Sequence, residues 1–322
     1  MQSTNTEKLL NKYLKKFTSL RRDNKNGGAP HKPILLISVI EVYEDRIFHN
    51  NQVFIIPELV ANFKRIWAQL VETNHHSIFA LPFYHMKSEG FWKLIPNYGF
   101  EKLIASKASL KSSFNTLKAS IYCAEIDQEL SELLKNEDHR NILKISILEK
   151  YFPNTKTLYK KEISDDTSFL FKSEKKYFKE LEHLKDTLDS NNYEEDVFVR
   201  SGIFKREIPK LYNYTCAISD MKVDAMVNAN LVDACHIVPF SISHDDTVRN
   251  GITLCPNLHR AYDRGLIFIN ENYEVEVNDN FVENEGSSYN IKQYEGKKIR
   301  LPENPKYQPK VENLIKHKTI FS

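Results

Sequence analysis

Three side chains in the last third of the sequence, His236, Asn250 and His259, stand 14 and then 9 residues apart on segments of alternating character. "NLVDACHIV" reads as a short β run stopped by Pro239, and "SHDDTVRNG" as a polar loop. "ITLCP" reads as a second short strand, and "NLHRAYDRG" as a helix closed by Gly265. On that helix His259 and Asp263 are four residues apart and share a face. Two strands and a helix in this order can set a strand-end imidazole opposite a helix-borne pair of ligands. Phosphodiester hydrolysis needs that combination: a divalent metal stabilises charge on the phosphate and leaving oxygen while a separate base deprotonates water. Histidine suits the base because its ordinary pKa lies near neutrality. Asparagine can hold a loop or an imidazole without competing for the proton. A lone histidine in an apolar run is ordinarily a buried structural residue, so His236 draws its meaning from its neighbours.

On "HIVPFS", "RNGITLCPNLH" and "AYDRG" the segment resembles the HNH nuclease motif, the ββα-metal fold, and the resemblance extends over roughly residues 196–322. It implies His236 as general base, Asn250 as the group that orients it or braces the loop, and His259 as a metal ligand. Asp263 falls where some family members have another ligand, with a cap or salt bridge as its other reading. Many members carry an Asp or His ligand immediately before the catalytic histidine, where this chain has Cys235. Cysteine behaves as a small buried hydrophobe unless activated, so Cys235 is read as a packing residue. Asp233 has the same strand parity and is the substitute ligand candidate, or else a structural hydrogen-bonding carboxylate. The implied cofactor is a divalent ion, Mg²⁺ first, with Mn²⁺, Ni²⁺ or Zn²⁺ as alternatives. Some HNH proteins add a structural zinc held by two CxxC knuckles. Here those positions read Cys216–Ser219 and Cys255–Leu258, and the two remaining thiols are expected to pack together. His244 and Arg260 are DNA-contact candidates.

An HNH unit alone chooses little among DNA sequences, because metal and base act on a backbone common to every site. The rest of the chain is therefore expected to supply targeting. Helical spacing of Leu9, Leu10, Tyr13, Leu14 and Phe17, then "PILLISVIEVYE", then Leu59, Phe63, Ile66, Trp67 and Leu70 predicts three helices. "SIFALPFYHMKSEGFWKL" reads as two aromatic-rich runs joined by a turn at Lys87-Ser88-Glu89-Gly90. From His31 to Leu94 the chain resembles the sulfur-binding domain of modification-dependent HNH restriction enzymes, on "APHKPILLI" and "LPFYHMKSEGFW". That family usually has a Tyr before the proline and a Trp-Arg pair after the Phe; this chain has Leu81, Tyr84 and His85. The resemblance implies an apolar cup for a non-bridging sulfur formed by Pro82, Phe83 and Tyr84, with His85 partly replacing the Arg. The alternative is that they form a hydrophobic strand core. Arg21, Arg22, Lys25, His31 and Lys32 are phosphate-contact candidates, or a solvated basic loop.

The chain has 322 residues, enough for about two domains. Its 41% hydrophobic and 27% charged residues fit a soluble globular protein. A net charge of +2 permits nucleic-acid binding without arguing for it. The N-terminus lacks the apolar core of a secretory signal, and no apolar run approaches the ~18 residues of a membrane span. Four cysteines make no dense framework, which suits a reducing cytoplasm.

The expectation is an α+β protein in three parts: a mixed α/β DNA-recognition module over 1–120, a helical connector over 121–195 and an HNH domain over 196–322. Phe178, Leu181, Leu184 and Leu188 form the connector's apolar stripe, and "DSNNYEED" breaks the pattern. The function expected is a bacterial-type restriction endonuclease acting on double-stranded DNA and dependent on a modification such as phosphorothioation. A conventional sequence-specific enzyme and a DNA-binding HNH protein without catalysis are the alternatives. One HNH site cuts one strand, so double-strand cleavage implies two protomers together or successive nicks.

Overall fold

The computed structural model describes residues 2–24, 27–102, 113–160, 191–223, 231–284 and 289–321. These fall into two compact units, one built from the chain up to 160 together with 191–199, the other from 200 onward. Lys25 and the stripe Phe178, Leu181, Leu184 and Leu188 lie outside the described residues. No helix among the described residues is long and apolar enough to cross a membrane.

In the first unit, α1 (Gln2–Thr18) and α3 (Pro57–Leu70) follow the predicted periodicity, and α2 (His31–Glu44) is the expected apolar helix with Pro33 in its first turn. Pro57 opens α3 in the first turn, where its missing N–H costs no helical bond. α2 is buried nearly all round from Lys32 to Tyr43, which makes it the axis of the unit. The first aromatic run departs from the strand reading. Residues Ala80–His85 form α4, continued by a 3-10 turn over Met86–Glu89 and ended by Gly90 at φ 77°. Helical spacing lets Phe79 and Phe83 meet one another in the core, where Phe83 also packs edge-on to Trp92. Only the second run is extended, as β2 (Trp92–Pro96).

The expected seam at residue 120 falls within this unit. After α5 (Phe114–Ser120), β3 (Ile121–Ile126) pairs with both β1 (Gln52–Val53) and β2 and is the middle strand of their antiparallel sheet. α6 (Gln128–Lys135) and α7 (Glu137–Tyr151) then pack on α1 and α2. A strand flanked on both sides cannot belong to a separate connector. The break predicted at 189–196 is also replaced, because Asn191–Leu211 is one helix, α8.

The second unit is built on a two-stranded antiparallel hairpin. β4 (Asp233–His236) pairs with β5 (Gly251–Leu254) in the register Asp233 to Leu254, Cys235 to Ile252 and His236 to Gly251. A four-residue helix, α9 (Phe240–Ser243), follows Pro239. α10 (Pro256–Asp263) begins on a proline and ends ahead of Gly265, which takes the left-handed conformation at φ 65°. β6 (Ile267–Ile269) and β7 (Val275–Val277) make a second hairpin, and α11 (Val311–Phe321) packs on β6. From α8, Phe204 and Ile208 lie so close to Gly251 that a Cβ there would stand 2.5 Å from the Ile208 Cδ1. The order strand, loop, strand, helix is the one read from the sequence.

Candidate active site and metal centre

Pairing with Gly251 leaves His236 at the last position of β4, just before Pro239 turns the chain away. Its ring lies flat on Phe204, with centroids 4.0 Å apart and planes 4° from parallel. Its Nε2 meets the Oδ1 of Asp246 at 2.8 Å. Asp246 is 4% exposed, and its other oxygen is buried with no hydrogen-bond partner among the described residues. An ionised carboxylate only accepts, so Nε2 carries the hydrogen and Nδ1 is left as the basic nitrogen. Phe204 and Asp246 thus orient the imidazole from one face and one edge. Neither was found from sequence. The doublet Asp245-Asp246 midway between His236 and Asn250 was the available signal for the second.

Asn250 is fully buried. Its Oδ1 accepts from the Val238 N–H at 2.9 Å and from the Asn313 side chain at 3.1 Å. Its Nδ2 donates to the Val238 carbonyl at 3.0 Å and to the Asp245 carbonyl at 2.9 Å. It therefore ties the chain leaving His236 to the loop that presents Asp246. Of the two roles considered, this is the bracing one, acting on His236 through Asp246 and without contact to the cleft.

α10 carries His259 and Asp263 along one face, as their spacing predicts, with His259 Nε2 3.4 Å from Asp263 Oδ2. His259 Nδ1 lies 3.4 Å from Asp233 Oδ2. The His259 ring is thus flanked by two half-exposed carboxylates, a field that favours a cation. Cys235, on the same side of β4 as Asp233, points inward, and its Sγ is 3.9 Å from Asp263 Oδ1. Donor atoms of Cys235, His259 and Asp263 lie within 4.8 Å of one another. Cys235 is fully buried, as a packing residue would be, and its sulfur also lies beside His259 and Asp263. Burial, and the charges of Asp263 and Asp233, push its thiol well above the ordinary range. A thiol, an imidazole and the Asp263 carboxylate form a donor set suited to a divalent cation, while Asp233 faces the other nitrogen of the His259 ring.

His236, His259 and Asp263 line one open cleft of about 430 Å³, together with Pro239, Phe240, Ser241, Ile242 and Phe321. The His236 ring and the His259–Asp263 pair therefore face a shared space, and neither ring is wedged into a separate core. Among the DNA-contact candidates, Arg260 is exposed on α10. His244 has a left-handed backbone (φ 51°), and its ring packs against Phe240. Cys216 and Cys255 are both buried and lie side by side.

In the first unit the candidates divide. Arg21 and His85 are exposed. Arg22 is tied back, donating to the Ala29 carbonyl at 3.2 Å and lying over the Tyr151 ring. Lys32 is buried against Glu89, and its ammonium also donates to the Arg21 carbonyl and Ser88 Oγ, both at 2.8 Å. This is a structural pin. His31 packs on Trp67 and bonds the His76 carbonyl, and burial lowers its pKa to about 4, so it is neutral at pH 7. Pro82, Phe83 and Tyr84 are buried, with the Phe83 side chain wholly inside the core. They do not form an open cup.

Residues 216–270, which include β4, β5, α10 and β6, match the family of HNH endonucleases, which are DNA-cleaving hydrolases that use a metal ion. Among solved structures the chain is similar to a modification-dependent TagI restriction endonuclease, with a TM-score of 0.31 and 19% identity. The similarity covers 38% of this chain and 38% of that one. No curated protein matches the chain.

Proposed function

We propose that the chain is a metal-dependent DNA endonuclease of the restriction type, in which the second unit cuts and the first selects. The observation that carries this reading is the single cleft shared by His236, His259 and Asp263. His236 takes a proton from the attacking water at Nδ1, while Asp246 and Phe204 hold the ring in that orientation. His259 and Asp263, with Cys235 or Asp233, would hold a divalent ion, which would supply charge to offset that on the scissile phosphate. Asn250 keeps the loops of His236 and Asp246 in register. Arg260 and His244 border this region and are assigned to the DNA backbone.

Selection for modified DNA, phosphorothioate in particular, is proposed from the likeness of "APHKPILLI" and "LPFYHMKSEGFW" alone. A second reading, a nuclease for unmodified sites, is favoured by the burial of Phe83 and Tyr84, which leaves no open cup for a sulfur. Purified protein is incubated with phosphorothioated, cytosine-modified and plain plasmid of one sequence, with Mg²⁺, Mn²⁺, Ni²⁺ or Zn²⁺ or with chelator. Cleavage confined to one modified plasmid supports selection by modification, and cleavage of plain plasmid supports the second reading. Binding without nicking under every ion supports a non-catalytic HNH protein. Nicked circles that precede linear product indicate successive cuts, whereas direct linearisation with second-order dependence on protein indicates two protomers.

A further inference from the structure

The metal-ligand cluster of the second unit contains a sulfur donor. We propose that Cys235 is a direct thiolate ligand of the ion held by His259 and Asp263, so that the site takes a thiophilic divalent cation of the Zn²⁺ and Co²⁺ class in preference to Mg²⁺. This rests on the reading of the cleft as a metal centre, and adds which residue completes it and which class of ion it selects.

Register in the hairpin is the first support. Cys235 pairs with Ile252, and alternation along β4 places its side chain on the Asp233 side. Distance is the second: its sulfur, a nitrogen of His259 and an oxygen of Asp263 lie within 4.8 Å of one another. Zn–S and Zn–N bonds of about 2.3 and 2.0 Å bring tetrahedral S and N ligands to roughly 3.5 Å apart. Closure therefore asks for about 1 Å of side-chain movement, within reach of small rotations of His259 and the half-exposed Asp263. Chemistry is the third. The buried thiol is a weak donor, in contact with the His236 carbonyl at 3.6 Å and Asp263 at 3.9 Å, and its sulfur already faces the Asp263 carboxylate. A divalent ion bound there takes the sulfur as thiolate, releases the thiol proton to solvent and neutralises the surrounding carboxylates. Magnesium demands an octahedron of oxygens and gains little from sulfur, whereas Zn²⁺ and Co²⁺ accept S, N and O together.

The test is metal binding by the full chain without DNA. Titration with Co²⁺ is expected to raise a near-ultraviolet sulfur-to-cobalt charge-transfer band that Cys235→Ser abolishes, while Cys216→Ser leaves it. Calorimetry is expected to show Zn²⁺ affinity falling at least about tenfold in Cys235→Ser, the cost even of an outer-shell partner at a metal site. Co²⁺ binding with no such band, or a band that survives Cys235→Ser, overturns the proposal. If Cys235→Ser and Cys235→Ala fail to fold by circular dichroism, cadmium NMR on the wild-type protein decides: a resonance in the thiolate-ligated range supports the assignment, and one in the oxygen and nitrogen range overturns it. Failure here leaves nuclease activity with other ligands intact. A sulfur-ligated ion in a protein that never nicks DNA would instead overturn the proposed function.

Discussion

The Nε2 of His236 lies 2.8 Å from the Oδ1 of Asp246, and this contact decides which nitrogen of the ring is available for chemistry. With Nε2 donating to Asp246, Nδ1 is the nitrogen left for the proposed role of base. Replacing His236 with Ala is expected to lower kcat by about 10²–10⁴-fold, the usual contribution of a general base, and to leave DNA affinity unchanged. Asp246→Asn keeps the shape but allows the amide to present either end, so kcat is expected to fall while KM holds. Nitrogen NMR of the imidazole should show the tautomer becoming mixed. A variant with full kcat and a mixed tautomer would remove Asp246 from the mechanism.

Asn250 makes four side-chain hydrogen bonds in a site that admits no water-accessible surface. Asn250→Ala leaves the Val238 N–H and two carbonyls without these partners, at about 1–3 kcal/mol for each buried group left unmet. Chemical denaturation should show the loss, accompanied by lower kcat as the Asp246 loop slackens. Activity unchanged in a destabilised protein would limit Asn250 to folding.

Gly251 is required by proximity, since its φ is that of ordinary extended strand, −124°. A Cβ at this position would stand 2.5 Å from Ile208 Cδ1 and 2.9 Å from Phe204 Cε2. Gly251→Ala should therefore push on the ring that supports His236 and cost about 1–3 kcal/mol by overpacking. A lower Tm together with lower kcat is expected. Gly251→Ala combined with Ile208→Val should recover part of both.

His317 is 1% exposed, stacked on Tyr262 with centroids 3.7 Å apart and bonded to the Tyr262 carbonyl. Burial lowers its pKa from 6.5 to about 4. Because the folded value is below the unfolded one, the unfolded chain binds the extra proton between these limits. Stability is then complete above pH 6.5 and declines as pH falls towards 4, by on the order of 3 kcal/mol. Urea unfolding between pH 4 and pH 7 should show this slope, and His317→Phe should flatten it. An equal slope in the variant would assign the acid sensitivity elsewhere.

Lys32 pairs with Glu89 in the interior of the first unit, the two side chains being 11% and 6% exposed. Removing one partner leaves the other charge buried, so Lys32→Ala is expected to cost about 3–5 kcal/mol. The salt dependence of DNA binding should not change, because the ammonium is already committed to Glu89, Ser88 and the Arg21 carbonyl. A reduced salt slope in a folded Lys32→Ala protein would return Lys32 to the DNA surface.

Local structure around the cleft was legible because it is encoded by neighbours in sequence. Pro239 stops β4, Pro256 opens α10, Gly265 lies just past its end, and a spacing of four places His259 and Asp263 on one face. Periodicity likewise marked α1 and α3, and a continuous apolar run after Pro33 marked α2. It misread "FALPFYHM", where a short aromatic run is equally compatible with a strand and a helix, and packing of Phe79 on Phe83 and of Phe83 on Trp92 settles it as helix. The seam at 120 failed for a related reason: nothing near β3 in sequence says that β1, about seventy residues earlier, is its partner.

By itself the sequence determined which residue types could perform phosphodiester chemistry and the order of elements that carries them. Tertiary structure alone decided which partners those residues have: Asp246 and Phe204 at His236, Cys235 beside His259 and Asp263, Asn250 inside a wall of backbone, and Lys32 against Glu89. The difference is physical. Backbone conformation follows from sterics and hydrogen bonding within a few residues, whereas burial and ionic pairing depend on which distant surfaces come together when the chain excludes water.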